Sequence, residues 1–140
     1  MPLEWSQVSL HLKNNNIVEA KKHAMLFEQL AGGTQERTWQ TLALEANARV
    51  YLQEGNHARA IQYVEAAIKA GKHFETPLAD WRVHATAAAA YDAAGDPTKS
   101  EKHAALITAC IHKLLNSLGE MHSLKRSISS GVSAYSKALR

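Results

Sequence analysis

One turn recurs at a spacing of 40 residues along the chain. Asn15, Gly55 and Gly95 stand in register, and Asn56 and Asp96 follow the two glycines. The surrounding segments are LHLKNNNIVEAKKHAMLF, VYLQEGNHARAIQYVEAA and AYDAAGDPTKSEKHAALI. Ala20, Ala60 and Ser100 fall at equivalent places after the break. Ala24, Val64 and Ala104 follow, then Phe27, Ala67 and Ile107. A fixed period of this size constrains a fold more than any single residue does, because each unit must bury its apolar face on its neighbours.

The unit has a physical reading. Gly or Asn accepts the left-handed backbone that ends a helix. Asn56 and Asp96 then cap the next helix by accepting from its free N–H groups. Pro97 stands at the first helical position, where its missing N–H costs nothing. The two helices of a unit run antiparallel, and Ala20, Ala60 and Ser100 let their backbones approach. The pattern predicts helices over about 3–14, 16–31, 35–54, 57–71, 77–94, 97–117 and 119–138. Residues 32–35 and 72–78 are read as loops between units, closed by Gly32-Gly33 and Gly71-Lys72.

Composition agrees with one all-α domain. The chain has 140 residues, 46% hydrophobic and 21% charged, enough to bury a continuous core without staples. The single cysteine, Cys110, excludes an intramolecular disulfide and fits a reducing cytoplasm. The start MPLEWSQVSLHLKNNN lacks the charged and apolar regions of a signal peptide, and no apolar run reaches a membrane span. A helix straight after Met1 and a Lys-Ala-Leu-Arg end suit a small complete protein or a domain. The net charge of +3 is unevenly placed: residues 1–110 hold 11 Lys+Arg against 12 Asp+Glu, and residues 111–140 hold five against Glu120 alone.

The repeat resembles the tetratricopeptide repeat (TPR), a helix–turn–helix unit that stacks into a right-handed superhelix. The matching residues are Tyr51 and Tyr91 near the end of the first helix (His11 in the first unit), Gly at the turn, the small residues Ala20, Ala60 and Ser100, and Ala48 and Ala88 facing them. The period departs from the usual 34 residues. Val8 stands where a small residue is usual, Asn47 where Leu is usual, and the Pro that ends the second helix is missing. Long-period versions occur in bacterial signalling ATPases and regulators. A HEAT-like helical array has a similar period.

The resemblance implies an α-solenoid of three TPR-like helix pairs, about 3–31, 35–71 and 77–117, within a single domain. Leu118, Met121, Leu124, Ile128, Val132, Tyr135 and Leu139 form an amphipathic face suited to a C-terminal capping helix, which Ser129-Ser130-Gly131 is expected to kink or end. In the family the first helix of each pair lines a concave groove. Carried onto this chain, the groove candidates are Trp5, Ser9 and Leu12; Leu42, Glu45, Arg49 and Leu52; and Arg82, Ala85, Ala89 and Asp92. The best-known peptide readers of the family clamp a C-terminal carboxylate with Lys and Asn. Trp5, Ser9, Glu45 and Arg49 hold those positions here, which argues against that ligand. Trp39 and Trp81 are expected between neighbouring units.

The sequence shows no chemistry to set beside this. Its eight histidines form no HExxH and no i,i+4 pair, and no Cys pair exists for zinc. His23 and His103 are repeat-equivalent, so they read as surface or interface residues. Cys110 reads as a helix position on an apolar run. No cofactor is expected, and the chain is read as non-catalytic. The basic residues Lys125, Arg126, Lys137 and Arg140 read first as a solvated face, then as a dock for an acidic partner or a second copy. Without an aromatic platform they are a weak footprint for nucleic acid. The expected function is an adaptor or scaffold that takes a partner's peptide or helix in the groove. The alternative is a regulatory or sensor module of a larger signalling or transcription-regulatory protein, which predicts an exposed apolar face at one end.

Overall fold

The computed structural model describes residues 2–72, 76–117 and 122–139. Leu118, Met121, Arg140 and the side chain of Leu124 lie outside the described residues. The chain is all-helical among them: α1 Pro2–Lys13, α2 Ile17–Gly32, α3 Arg37–Glu54, α4 His57–Gly71, α5 Pro77–Ala93, α6 Pro97–Ser117 and α7 His122–Ala138. The expected boundaries fall within three residues of these. None of these helices is long and apolar enough to cross a membrane.

The three turns are copies of one another. Asn15, Gly55 and Gly95 have φ of 57°, 89° and 83°, all left-handed. The next N–H reaches back over the helix end in each: Asn16 to His11 O at 2.8 Å, Asn56 to Tyr51 O at 2.9 Å, Asp96 to Tyr91 O at 2.9 Å. The same residues then cap the following helix. Asn16 accepts from Glu19 N at 3.3 Å, Asn56 from Arg59 N at 3.2 Å and Asp96 from Lys99 N at 3.1 Å. Each turn therefore satisfies orphaned groups of two helix ends at once.

Small residues close the hairpins above each turn. Ala20 and Ala60 have no exposed surface, and Ser100 donates to Ala88 O across the third hairpin at 2.8 Å. A stacked ring pair sits beside each contact: His11 on His23, Tyr51 on Tyr63 and Tyr91 on His103, with centroids 5.3, 5.5 and 5.5 Å apart. The ring pair is a third element repeated at the 40-residue spacing.

Neighbouring hairpins meet in register. α2 packs on α3 and α4 on α5, while α1 touches α3 and α3 touches α5. Arg49 donates to Ser9 Oγ at 3.2 Å, Gln53 to Leu12 O at 2.9 Å and Thr86 to Glu45 Oε1 at 2.8 Å. All three bonds join residues about one period apart. Asn47, where Leu was the usual residue, is fully buried and donates to Ala24 O and Ala43 O, tying α3 to α2. Two apolar clusters lie between the hairpins. One holds Val8, Phe27, Leu42 and Val50, with Trp39 edge-on to Phe27; the other holds Ala48, Val64, Ala87 and Tyr91.

Helix α7 runs unbroken through Ser129–Gly131, so the expected kink is absent. The helix-propensity cost of one Gly is about 1 kcal/mol. The contacts that Tyr135, on the same helix, makes with Trp81 and Glu45 offset it. Ser136 and Leu139 face Ala85, Ala89 and Ile107 across a cavity of about 190 Å³, on the side of the third hairpin that a cap would cover. Tyr135 meets Trp81 and Glu45 instead.

Two measurements check this packing. Ala60→Leu is expected to destabilise by about 1–3 kcal/mol through overpacking, read as a lower urea midpoint. The second concerns His84, whose Nδ1 lies 3.0 Å from His103 Nδ1. Burial, with His103 adding, pushes the His84 pKa from 6.5 down to about 4. Between those values the unfolded chain holds the extra proton, so stability falls as pH drops from about 6.5 to about 4. His84→Leu, which copies Leu44 of the second unit, is expected to shrink the difference between urea midpoints at pH 7 and pH 4.5.

Candidate functional site

Of the eleven expected groove residues, Trp5, Ser9, Glu45, Arg49 and Arg82 gather at a buried cluster centred on Glu45. Glu45 has no exposed surface and Arg49 is 7% exposed. One helical turn apart on α3, they place Arg49 Nε 2.9 Å from Glu45 Oε1 as an ion pair. Thr86 of α5 donates its hydroxyl to the same oxygen at 2.8 Å. Tyr135 of α7 donates its hydroxyl there too. A carboxylate removed from water needs such donors, since an isolated buried charge is costly. Three helices supply them.

The Tyr135 ring is held as firmly as its hydroxyl. Trp81 meets it edge-on with centroids 5.2 Å apart. The guanidinium carbons of Arg49 and Arg82 lie 5.5 and 5.9 Å from its centroid. Arg82 also stands over Trp5 at 5.3 Å and over Trp81 at 4.3 Å. Trp81 is thus buried against α7, on the inner side, whereas Trp39 occupies the expected place between hairpins.

The electrostatics follow from burial. Burial pushes the Tyr135 pKa up, and Glu45 adds to this, so its hydroxyl keeps its proton. Burial works against the Arg49 charge, but Glu45 and Tyr135 outweigh it and hold its pKa above the ordinary value. Burial lowers the Arg82 pKa. Beside Arg49 Nε, which meets Glu45 as an ion pair without hydrogen-bond geometry, four polar atoms are buried here without a hydrogen-bond partner: Trp5 Nε1, Glu45 Oε2, Arg49 Nη2 and Arg82 Nε. Buried polar atoms are nearly always paired.

The remaining candidates divide. Ser9 belongs to the cluster through Arg49. Leu42 is buried in the apolar core, and the half-buried Leu12 packs against that core, so neither belongs to the polar cluster. Leu52 is half-buried. Ala85, Ala89 and Asp92 line the cavity beneath Ser136 and Leu139. Arg126 and Lys137 are exposed on α7, with Lys125 partly so. Burial raises the Cys110 pKa, and the residue is half-buried.

Thr86 was not legible as a site residue. It sits among alanines in α5, and the only hint is that it lies one period plus one residue after Glu45. Tyr135 was legible only as part of an apolar face.

No protein-family model, curated protein or solved structure matches the chain. The likeness to tetratricopeptide repeats therefore rests on the residues themselves.

Removing Glu45 tests the cluster. Glu45→Ala leaves the buried Arg49 uncompensated and is expected to cost about 3–5 kcal/mol in urea unfolding. A loss below about 1 kcal/mol would show that the ion pair is not sequestered.

Proposed function

We propose that the chain is a non-catalytic, TPR-like interaction module, cytoplasmic in setting, whose inner face takes one helix from a protein partner. The observation that carries this is the seating of Tyr135. Through Tyr135 the chain's own α7 meets α3 and α5, anchored by an aromatic hydroxyl on Glu45. Anchors of this kind, a Tyr or Trp flanked by Arg in a desolvated setting, dominate helix-in-groove recognition. The unpartnered atoms of Trp5, Arg49 and Arg82 are donors that a partner helix can satisfy better than α7 does. In this reading α7 covers the groove in the free chain and yields to the partner.

A second observation favours the alternative, a regulatory module within a larger assembly. Leu3 and Val18 are 65% and 77% exposed, and Leu10, Met25, Leu26 and Leu30 are also exposed, all on α1 and α2. Together they make an apolar face on the first hairpin, where another repeat or domain would stack. The two readings are compatible: one concerns the inner face, the other the outer end.

A defined ligand tests the groove. A synthetic peptide of residues 122–139 is expected to bind, in trans, to the chain ended after residue 117. Tyr135→Ala in that peptide is expected to weaken binding at least about tenfold, or about 1.4 kcal/mol. Arg49→Glu in the receptor is expected to do the same. A folded receptor, checked by circular dichroism, that ignores the wild-type peptide would contradict the proposal.

A further inference from the structure

Beside its ring pair the first hairpin inverts a charge that the other two hairpins share. Beside the ring pair of the second hairpin stands Arg59, its guanidinium 5.2 Å from the Tyr51 centroid and 5.6 Å from Tyr63. Beside the third pair stands Lys99, 5.2 Å from Tyr91. Both are cations lying on aromatic rings. The equivalent of Arg59 and Lys99 in the first hairpin is Glu19, and the equivalent rings are His11 and His23. A Tyr–Arg–Tyr trio and a Tyr–Lys–His trio are replaced by His–Glu–His. The built-in cation is gone, and every group around its place has become a metal donor.

The donors are already gathered. One ligand atom from each of His11, Glu19 and His23 lies within 4.8 Å of the others. Glu19 and His23 are one turn apart on α2, and His11 faces them from α1. A tetrahedral zinc ion with ligands at about 2.0–2.1 Å needs donors about 3.3 Å apart. Rotation of half-buried side chains about soft terminal torsions covers the difference.

Two further features prepare the set. His23 Nδ1 lies 2.7 Å from Glu4 Oε2. A carboxylate only accepts, so in the neutral imidazole the proton sits on Nδ1 and Nε2 keeps its lone pair for an ion. This carboxylate–histidine arrangement orients metal-bound histidines. Glu19 also stands three residues after the cap Asn16, where a capping box would spend its carboxylate on the Asn16 N–H. That N–H is instead given to His11 O.

We propose that His11, Glu19 and His23 bind one divalent transition-metal ion of the zinc class, with Glu4 holding His23 in position. Two imidazoles and one carboxylate suit such an ion better than calcium or magnesium, which take oxygen ligands. Three protein ligands leave one position for water or for a donor from a partner.

The full chain titrated with zinc chloride is expected to take up one ion, with chemical shifts moving at the His11 and His23 rings. Cobalt(II) is expected to give the visible absorption of a four-coordinate site at the same stoichiometry. The variant carrying His11→Tyr, Glu19→Arg and His23→Tyr copies the second hairpin's trio, so it keeps the stacked pair and the fold. It is expected to lose this uptake with an unchanged circular dichroism spectrum. Glu4→Gln is expected to weaken binding about 10- to 100-fold. Either of two results would overturn the proposal: no saturable uptake by the wild type at millimolar zinc, or uptake that survives the triple substitution, as binding at His84 and His103 would.

Discussion

The Glu45 carboxylate is the constraint on which the inner face depends. It is fully buried, and a buried carboxylate without partners would be driven to neutralise or to open the fold. Its donors come from Arg49 on its own helix, Thr86 on α5 and Tyr135 on α7. Satisfying it therefore fixes the spacing of α3 and α5 and brings α7 over both. The arginines that flank Tyr135 and the tryptophans that flank Arg82 take their places around this centre. A buried ion pair is weak evidence for stability. Its value here is positional, since it specifies which residue of α7 meets which residue of α3.

Around that centre the hairpins share one construction. A left-handed Asn or Gly, a capping Asn or Asp, a small residue in the close approach and a stacked ring pair recur 40 residues apart. Because these elements hold each hairpin, the positions between them are free to differ. Glu4, Leu44 and His84 are equivalent and do unrelated things: Glu4 bonds His23, His84 sits against His103, and Leu44 is a half-buried apolar side chain. Glu19, Arg59 and Lys99 vary in the same way.

Much of the fold was legible because its signals are local. Gly55, Asn56, Gly95 and Asp96 mark turns through backbone conformation and capping, which need no knowledge of the rest of the chain. The period then placed Ala60 and Ser100 in their contacts. The site was legible to a lesser degree. The resemblance puts Glu45, Arg49 and Arg82 in one open groove; only the structure shows Glu45 and Arg49 buried and Arg82 half-buried, beside Tyr135, 90 residues away from Glu45. No periodic pattern carries that pairing. Leu12 and Leu42 share the spacing of the site residues yet turn into the core, since a helix face a few residues wide borders both. His23 reads as the repeat equivalent of His103, and each stacks on the ring before its turn; the break in symmetry at Glu19 is visible only once Arg59 and Lys99 are seen lying over rings.

The contact between Tyr135 and Trp81 is where the account is most directly exposed to test. Their rings meet edge-on with centroids 5.2 Å apart, close enough for a proton–proton nuclear Overhauser effect. In the full chain at neutral pH, cross-peaks between the Tyr135 ring protons and the Trp81 indole are predicted, and Glu45→Gln should weaken them. Absence of those cross-peaks, with sharp resonances from residues 122–139 typical of a freely tumbling helix, would contradict the account.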